Sequence, residues 1–83
     1  GTDIHTEYLG KTLILVHVSK YEGPVTMQLL PYGGIQSLYN NQLIINTKSG
    51  FIVPQKIIYD GISYTNYEFT SKFDNLVNQV LPC

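Results

Sequence analysis

Two histidines and one cysteine are the side chains in this sequence with the greatest capacity for catalysis or metal binding. His17 lies in an apolar run, His5 in a polar N-terminal stretch, and Cys83 at the end of the sequence. A zinc site needs about four ligands, and nucleophilic catalysis needs a nucleophile, a base and an orienting group within hydrogen-bond reach. We therefore expect no metal, no cofactor and no enzyme activity, with His17 packed or hydrogen-bonded in the fold and His5 solvated.

The acidic residues and the glycine pair also fit structural roles. Asp60 belongs to an Asp-Gly turn sequence, and Asp74 follows Ser71 by three residues, where a helix start needs an acid. Gly33 and Gly34 lack the spacing of a phosphate-binding loop. No catalytic carboxylate pair and no phosphate cradle is predicted.

The seven tyrosines are too many for one small core to bury with every hydroxyl hydrogen-bonded, so some must be exposed. Exposed rings on a sheet can stack on single-stranded bases while nearby lysines hold phosphates. Five lysines and a net charge of −1 favour instead tyrosines that rim the core or contact another protein. The candidate nucleic-acid-binding residues are Lys20, Tyr21, Lys48, Lys56, Tyr64 and Tyr67.

The composition indicates which elements must position these residues. The chain has no alanine and no arginine but many tyrosines, isoleucines and threonines, which favours a sheet. With 83 residues it should form one domain over 1–83. The single cysteine excludes an internal disulfide and favours a reducing compartment. No apolar run approaches the roughly 20 residues that span a bilayer, so we expect no membrane contact.

Short runs rich in β-branched residues, separated by turn sequences, predict antiparallel strands over 12–69 after a loose arm at 1–10. Pro54 cannot donate a ladder hydrogen bond, so it predicts an edge, a bulge or a break between two strands. The runs predict strands at 13–18, 25–30, 43–45, 51–53, 56–58 and 62–69, with 35–39 either a strand or a helical turn, 40–41 a tight turn and 47–50 a hairpin.

The last part of the chain predicts a helix at 71–80. Ser71 is a good N-cap, Asp74 lies near the capping-box position, and Pro82 stops the helix. A helix of about ten residues is marginal alone, so it should dock on the sheet. Its apolar stripe is formed by Phe73, Leu76, Val77 and Val80.

Three stretches resemble a known family: 42–47 (QLIINT), 57–61 (IIYDG) and 73–76 (FDNL), the last followed by apolar residues at 77, 80 and 81. They resemble the last segment of the SARS-unique region in the betacoronavirus multidomain non-structural protein, which precedes a ubiquitin-like domain and the papain-like protease. The resemblance implies an α+β, frataxin-like fold, with an antiparallel sheet and a C-terminal amphipathic helix. It also implies a non-catalytic accessory module of a viral replicase polyprotein, in the host cell cytoplasm on the cytosolic side of replication membranes.

Three functions follow as alternatives. The first is the viral accessory module, a monomer with weak affinity for single-stranded RNA and contacts to neighbouring domains of the polyprotein. The second is a protein-interaction or spacer module that positions a neighbouring domain. The third is a small secreted domain from an AT-rich microbe, since the missing alanine and arginine have GC-rich codons.

Overall fold

The computed structural model describes residues 3–24, 31–37, 42–73, 75 and 78–82. Its strands pair antiparallel in the order β1-β2-β5-β4-β3, and β6 pairs with the second half of β5. The sheet curves into a half-barrel whose concave face carries the core. The elements are β1 (Ile4–Tyr8), β2 (Lys11–Lys20), β3 (Ile35–Ser37), β4 (Leu43–Thr47), β5 (Gly50–Tyr59), β6 (Ile62–Thr65) and α1 (Asn66–Lys72).

The two long strands, β2 and β5, change the face that they bury at the same level of the sheet. Leu15 and its partner Ile57 are buried in the core, but farther along it is Val18 and its partner Pro54 that turn inward. Strict alternation would have placed Val18 on the opposite face from Leu15. The alternation is interrupted by His17, which has a φ of 51° in the left-handed region. Because of this change of face, residues on both sides of His17 in β2 reach the core.

The N-terminal stretch predicted to be a loose arm is a strand. β1 pairs along its whole length with β2, from Ile4 opposite Leu15 to Tyr8 opposite Lys11. Its apolar and polar residues alternate, so that Tyr8 packs against the core while Glu7 is exposed. The mixed composition of 1–10 suggests a loose arm, but the alternation of apolar and polar residues with a period of two is typical of a strand and is the better guide here.

Pro54 does not break the strand. β5 runs through it without interruption because Pro54 lies where the neighbour of β5 changes. β4 pairs with β5 as far as Ile52, and β6 begins to pair at Lys56. The Pro54 carbonyl points into the gap between them, where the Asn66 side chain donates to it at 2.7 Å. Since N–H and C=O of one strand residue point to the same side, the missing proline N–H costs no ladder bond.

The prediction of a frataxin-like α+β fold with an amphipathic C-terminal helix at 71–80 is wrong. Of the residues that the structure describes, 58% are in strands and 12% in helix, so the described part is essentially an all-β half-barrel with one short helix. That helix begins at Asn66 and ends at Lys72, where the prediction had a strand running to residue 69. Asp74, Leu76 and Val77, which supported the predicted helix, lie outside the described residues.

The early helix start has a local cause. Thr65 is the N-cap: its hydroxyl accepts from the Glu68 N–H at 3.1 Å, and the Glu68 carboxylate accepts from the Thr65 N–H at 2.8 Å. This reciprocal capping box satisfies two backbone donors that a helix start leaves unpaired. The hydrogen bond that the Glu68 carboxylate accepts from the Thr65 N–H, with a further contribution from the Thr65 side chain, lowers the pKa of Glu68 from its ordinary value. Ser71, predicted to be the cap, lies in the last turn of the helix instead.

The remaining predicted strands are only partly within the described residues. β2 covers the strand predicted at 13–18, and β4 covers that at 43–45. The 35–39 stretch contains β3 over its first three residues. The predicted strand at 25–30 and the predicted turn at 40–41 lie outside the described part of the chain.

Candidate interaction site

Three of the six candidate RNA-binding residues lie at one end of the sheet. Lys20 is opposite Ile52 at the end of β2, and Lys48 lies in the turn between β4 and β5. The Tyr21 N–H donates to the Phe51 carbonyl at 2.9 Å, and its hydroxyl donates to the Pro24 carbonyl at 2.9 Å. Both lysines are exposed, and Tyr21 is half-buried.

The other three candidates are distributed over different surfaces. Lys56 is exposed, next to the buried Ile57 and therefore on the opposite face of β5 from it. Tyr64 is opposite Ile57, on the core side, where it packs under α1. Tyr67 is 61% exposed on α1 itself.

The ring of Tyr64 is already engaged by its own chain. It makes edge contacts with Phe69 at 5.9 Å and Phe73 at 5.4 Å between centroids, and the Lys72 ammonium lies 5.5 Å from its centre. Ile52 and Lys56 are four residues apart, so the two groups of candidates are separated by about 13 Å along β5. The fold brings Lys20, Tyr21 and Lys48 to one end and does not assemble all six residues into one groove.

The histidines do not form a site in the part of the chain that the structure describes. His17, predicted to be packed or hydrogen-bonded, has an exposed side chain, because its left-handed backbone turns the side chain away from the core. Its backbone N–H donates to the Asp3 carboxylate at 3.2 Å. His5 is exposed on β1, as expected. Within this part of the chain, no three His, Cys, Asp or Glu side chains come close enough to hold a metal ion.

A different surface forms where the open side of the half-barrel is closed. Residues 78–82, here called the closing segment, run along the outer edge of β3, with an isolated bridge between Gly34 and Val80. The Asn78 N–H donates to the Ile35 carbonyl at 2.7 Å, the Ile35 N–H donates to the Gln79 carbonyl at 2.8 Å, and the Leu81 N–H donates to the Gly33 carbonyl at 2.8 Å.

The closing segment also contacts the opposite outer strand. The Thr6 hydroxyl of β1 donates to the Pro82 carbonyl at 3.0 Å, and Leu81 is buried in the core with 4% of its surface exposed. The segment therefore connects β3 to β1, the two outermost strands of the path β1-β2-β5-β4-β3. The closing segment therefore lies where a further strand would lie in a closed barrel.

An apolar cavity opens beside Leu81. It has a volume of about 80 Å³ and is lined by Ile4, Thr6, Leu15, Ile45, Thr47, Ile52 and Leu81. An engineered cavity of roughly 150 Å³ holds benzene, so this one has room for part of a side chain rather than for a small-molecule ligand. None of the lining residues is charged, which favours an aliphatic group as the occupant.

Exposed apolar side chains lie on three of the segments that meet where the half-barrel is closed. Ile4 lines the cavity and is 41% exposed, Val80 belongs to the closing segment and is 45% exposed, and Tyr32 precedes the Gly33 that bonds to the segment and is 61% exposed. These three, together with the cavity, are called the seam surface. They are half of the six large hydrophobic residues that are exposed in the described ranges. Exposed apolar clusters of this kind are typical of contact surfaces, and tyrosine is enriched there.

Sequence reasoning missed the seam surface for two reasons. The alternation of Ile4, Thr6 and Tyr8 is present in the sequence, but the mixed, polar composition of 1–10 predicts a loose arm. The apolar spacing after Phe73 predicts that Val80 lies on a helix, whereas Val80 is extended and pairs with Gly34. Only the pairing of distant segments brings the two ends of the chain together at the cavity.

No family model, curated protein or solved structure matches the chain. Among the helical residues described, there is no stretch long and apolar enough to cross a membrane.

Proposed function

We propose that this domain is a non-catalytic protein-interaction module that binds an extended apolar segment of a partner chain at the seam surface. The observation that carries the proposal is the uncharged cavity beside Leu81, which the exposed Ile4 lines, together with the exposed Tyr32 and Val80 on the segments that close the half-barrel. Each methylene of a partner side chain buried there contributes about 0.8 kcal/mol. The exposed apolar surface around the opening would be covered at the same time.

The surroundings of the cavity define the chemistry of the partner. Thr6 and Thr47 are the polar residues of the lining, and both are half-buried. An acidic or basic partner side chain would lose its hydration there without gaining an opposite charge. We therefore expect a neutral segment in which aliphatic and polar residues alternate, as in an added strand.

The test is a titration of the isotope-labelled chain with short peptides, followed by methyl and amide NMR shifts. The probe is a blocked pentapeptide, Thr-Val-Thr-Leu-Thr, and the matched control replaces its leucine with aspartate. We expect saturable shifts of Ile4, Leu15 and Ile52 with the first peptide only. Equal shifts with both peptides, or no shifts at millimolar concentration, would overturn the proposal.

Paired variants locate the surface. Ile4→Asp places a carboxylate at the mouth of the cavity and should abolish the peptide-induced shifts. Leu9→Asp is the control, because Leu9 is 76% exposed but lies outside the cavity lining, in the turn between β1 and β2. Loss of binding in both variants would contradict a site at the seam surface.

Binding of single-stranded RNA is the second candidate function. It is favoured by one observation, the presence of Lys20, Tyr21 and Lys48 at the same end of the sheet. Its test is a titration with oligouridylate at low and high salt, since phosphate contacts weaken steeply as salt rises. Salt-sensitive amide shifts around these three residues, absent in the double variant Lys20→Gln, Lys48→Gln, would support it. Unchanged amide chemical shifts at low salt would contradict RNA binding.

The place of the domain in a viral replicase polyprotein, with the cytoplasmic location that this implies, stays a prediction from the resemblance. It is tested by the native sequence that follows Cys83. A ubiquitin-like domain and a cysteine protease directly after this residue would support the resemblance. An upstream signal peptide would support the secreted alternative instead.

A further inference from the structure

We propose that the partner segment binds by taking the place of the closing segment along β3, so that residues 78–82 are an internal competitor for the site. This inference rests on the proposed function and specifies how the site is regulated: Val80 and Leu81 leave the seam surface on displacement, and the partner contacts the part that stays in place, Ile4, Tyr32 and the rest of the cavity lining. The same groove would then be occupied either by the chain's own residues or by those of a partner.

The first support is the nature of the bonds that hold the closing segment. Three backbone hydrogen bonds between the segment and β3 with the residues before it involve the Ile35 N–H, the Ile35 carbonyl and the Gly33 carbonyl. Backbone groups form these bonds on both sides, so any extended chain can replace them regardless of its sequence. A helix could not, because its own N–H and C=O groups are bonded internally. The edge of β3 therefore selects an extended partner.

The second support is the small number of buried side chains in the closing segment. Leu81 is 4% exposed, whereas Asn78, Gln79, Val80 and Pro82 are all exposed. A single side chain therefore anchors the segment in the core. The cavity beside Leu81 shows that leucine leaves part of this space unfilled. A partner with a longer anchor, such as methionine, would fill both the leucine position and the cavity.

The third support is the way in which the segment is fastened at its far end. Near β1 it is held by the exposed bond from the Thr6 hydroxyl to the Pro82 carbonyl. A bond of this kind exchanges readily with water and contributes little net stability. Displacement would therefore start at Pro82 and proceed toward Asn78, while the partner pairs with the uncovered edge of β3.

The experiment uses the full labelled chain and a blocked peptide with the sequence of residues 78–82 in which methionine stands at the Leu81 position. The control peptide carries aspartate there. Amide hydrogen exchange is measured at Asn78, Leu81 and Ile35, the three donors of the ladder. Displacement predicts about tenfold loss of protection at Asn78 and Leu81, while Ile35 stays protected because its N–H now donates to the peptide.

The outcomes separate this inference from the proposed function. Peptide-induced shifts around Ile4 with unchanged protection at Asn78 and Leu81 would overturn the displacement and leave the interaction module intact. Loss of protection at all three donors would mean that the peptide unfolds the edge, which also overturns the displacement. Absence of any peptide binding would overturn both proposals.

Substitutions of the residues that hold the closing segment in place give an independent test. Thr6→Val removes the bond to Pro82 and should strengthen peptide binding severalfold, because a larger fraction of molecules presents the open edge. Thr12→Val, an exposed threonine on the neighbouring strand, is the matched control and should leave the affinity unchanged. Leu81→Asp removes the anchor and should have the larger effect, provided that its amide spectrum shows a folded chain. Equal affinities for wild type and Thr6→Val would contradict the competitor role.

Discussion

The helix-covered half of the half-barrel and the seam surface are built in opposite ways. Under α1, the rings of Tyr59, Tyr64, Phe69 and Phe73 contact one another at centroid distances between 4.8 and 6.1 Å. At the seam, one leucine enters the core beside an unfilled cavity, and backbone bonds hold the segment. Side-chain packing specifies a unique arrangement, whereas backbone pairing accepts any extended chain. We therefore expect the stability of the fold to be concentrated under the helix, and the proposed exchange of one extended segment for another to take place at the seam.

The largest expected effect tests the aromatic half. Phe69→Ala should lower the free energy of unfolding by about 3–5 kcal/mol, because Phe69 is 1% exposed and its ring contacts three others. Denaturant unfolding measures the loss. Tyr67→Ala on the same helix, at a 61% exposed position, is the control and should change stability by less than about 0.5 kcal/mol. Similar losses in both variants would contradict an aromatic core under α1.

Asn66 joins the helix to the two strands that separate beneath it. Its amide donates to the Leu43 carbonyl at 3.0 Å and the Pro54 carbonyl at 2.7 Å, and its side-chain oxygen accepts from the Leu43 N–H at 2.7 Å. Asn66→Ala should cost about 2–3 kcal/mol, since it leaves part-buried backbone groups without partners. The measurement is again denaturant unfolding. The exposed Asn75→Ala is the control, and a loss below about 0.5 kcal/mol at Asn66 would contradict the bridging role.

Leu81→Ala probes the seam for comparison. We expect a loss near the lower end of the large-to-small range, about 2 kcal/mol, because the cavity already present means that fewer contacts are lost. The Ile35 amide, which donates to the Gln79 carbonyl, should exchange faster with solvent, while the Leu43 amide bonded to Asn66 keeps its protection relative to global unfolding. Hydrogen exchange measures both amides in one experiment. A uniform increase in exchange would show that the two regions open together.

The smallest effect concerns pH and the helix cap. The pKa of Glu68 is lowered from its ordinary value near 4.5 by its hydrogen bonds with Thr65, so the unfolded chain binds this proton more readily than the folded one. Its contribution to stability is therefore present above pH 4.5 and is lost as pH falls through the lower folded-state pKa. The thermal midpoint of Glu68→Gln should fall less than that of wild type over this window. Parallel pH dependence of the two proteins would contradict the capping role of the carboxylate.

The parts of the fold that could be predicted are those with a local cause. The apolar run of β2 and the Asp-Gly turn before β6 were readable because β-branched residues favour strands, and Gly61 adopts a φ of 81° without strain. The helix was misplaced because two capping sequences compete, Thr65 with Glu68 and Ser71 with Asp74. The helical spacing of the apolar residues at 73, 76, 77 and 80 favoured the start at Ser71, which is the wrong one. Local patterns could not rank the two starts.

The candidate lysines and tyrosines show the same limit for the functional site. That several tyrosines must be exposed followed from their number, and Tyr32 and Tyr67 are exposed. Which of them share a surface did not follow. Tyr64 in β6 pairs with Ile57, the residue next to Lys56 in β5. Tyr64 and Lys56 nevertheless face opposite sides of the sheet. Side-chain direction depends on register, which the sequence does not state.

Residues within a few positions of one another were enough to indicate a β-rich chain and the turns at 47–50 and 60–61. Tertiary structure alone decided the change of face at His17, the bridge made by Asn66 and the closure of the half-barrel. The closure joins Thr6 to Pro82 across almost the whole chain. Contacts at such separation arise only when all intervening strands have found their register, which is why the seam surface appears in the folded protein and not in the pattern of its residues.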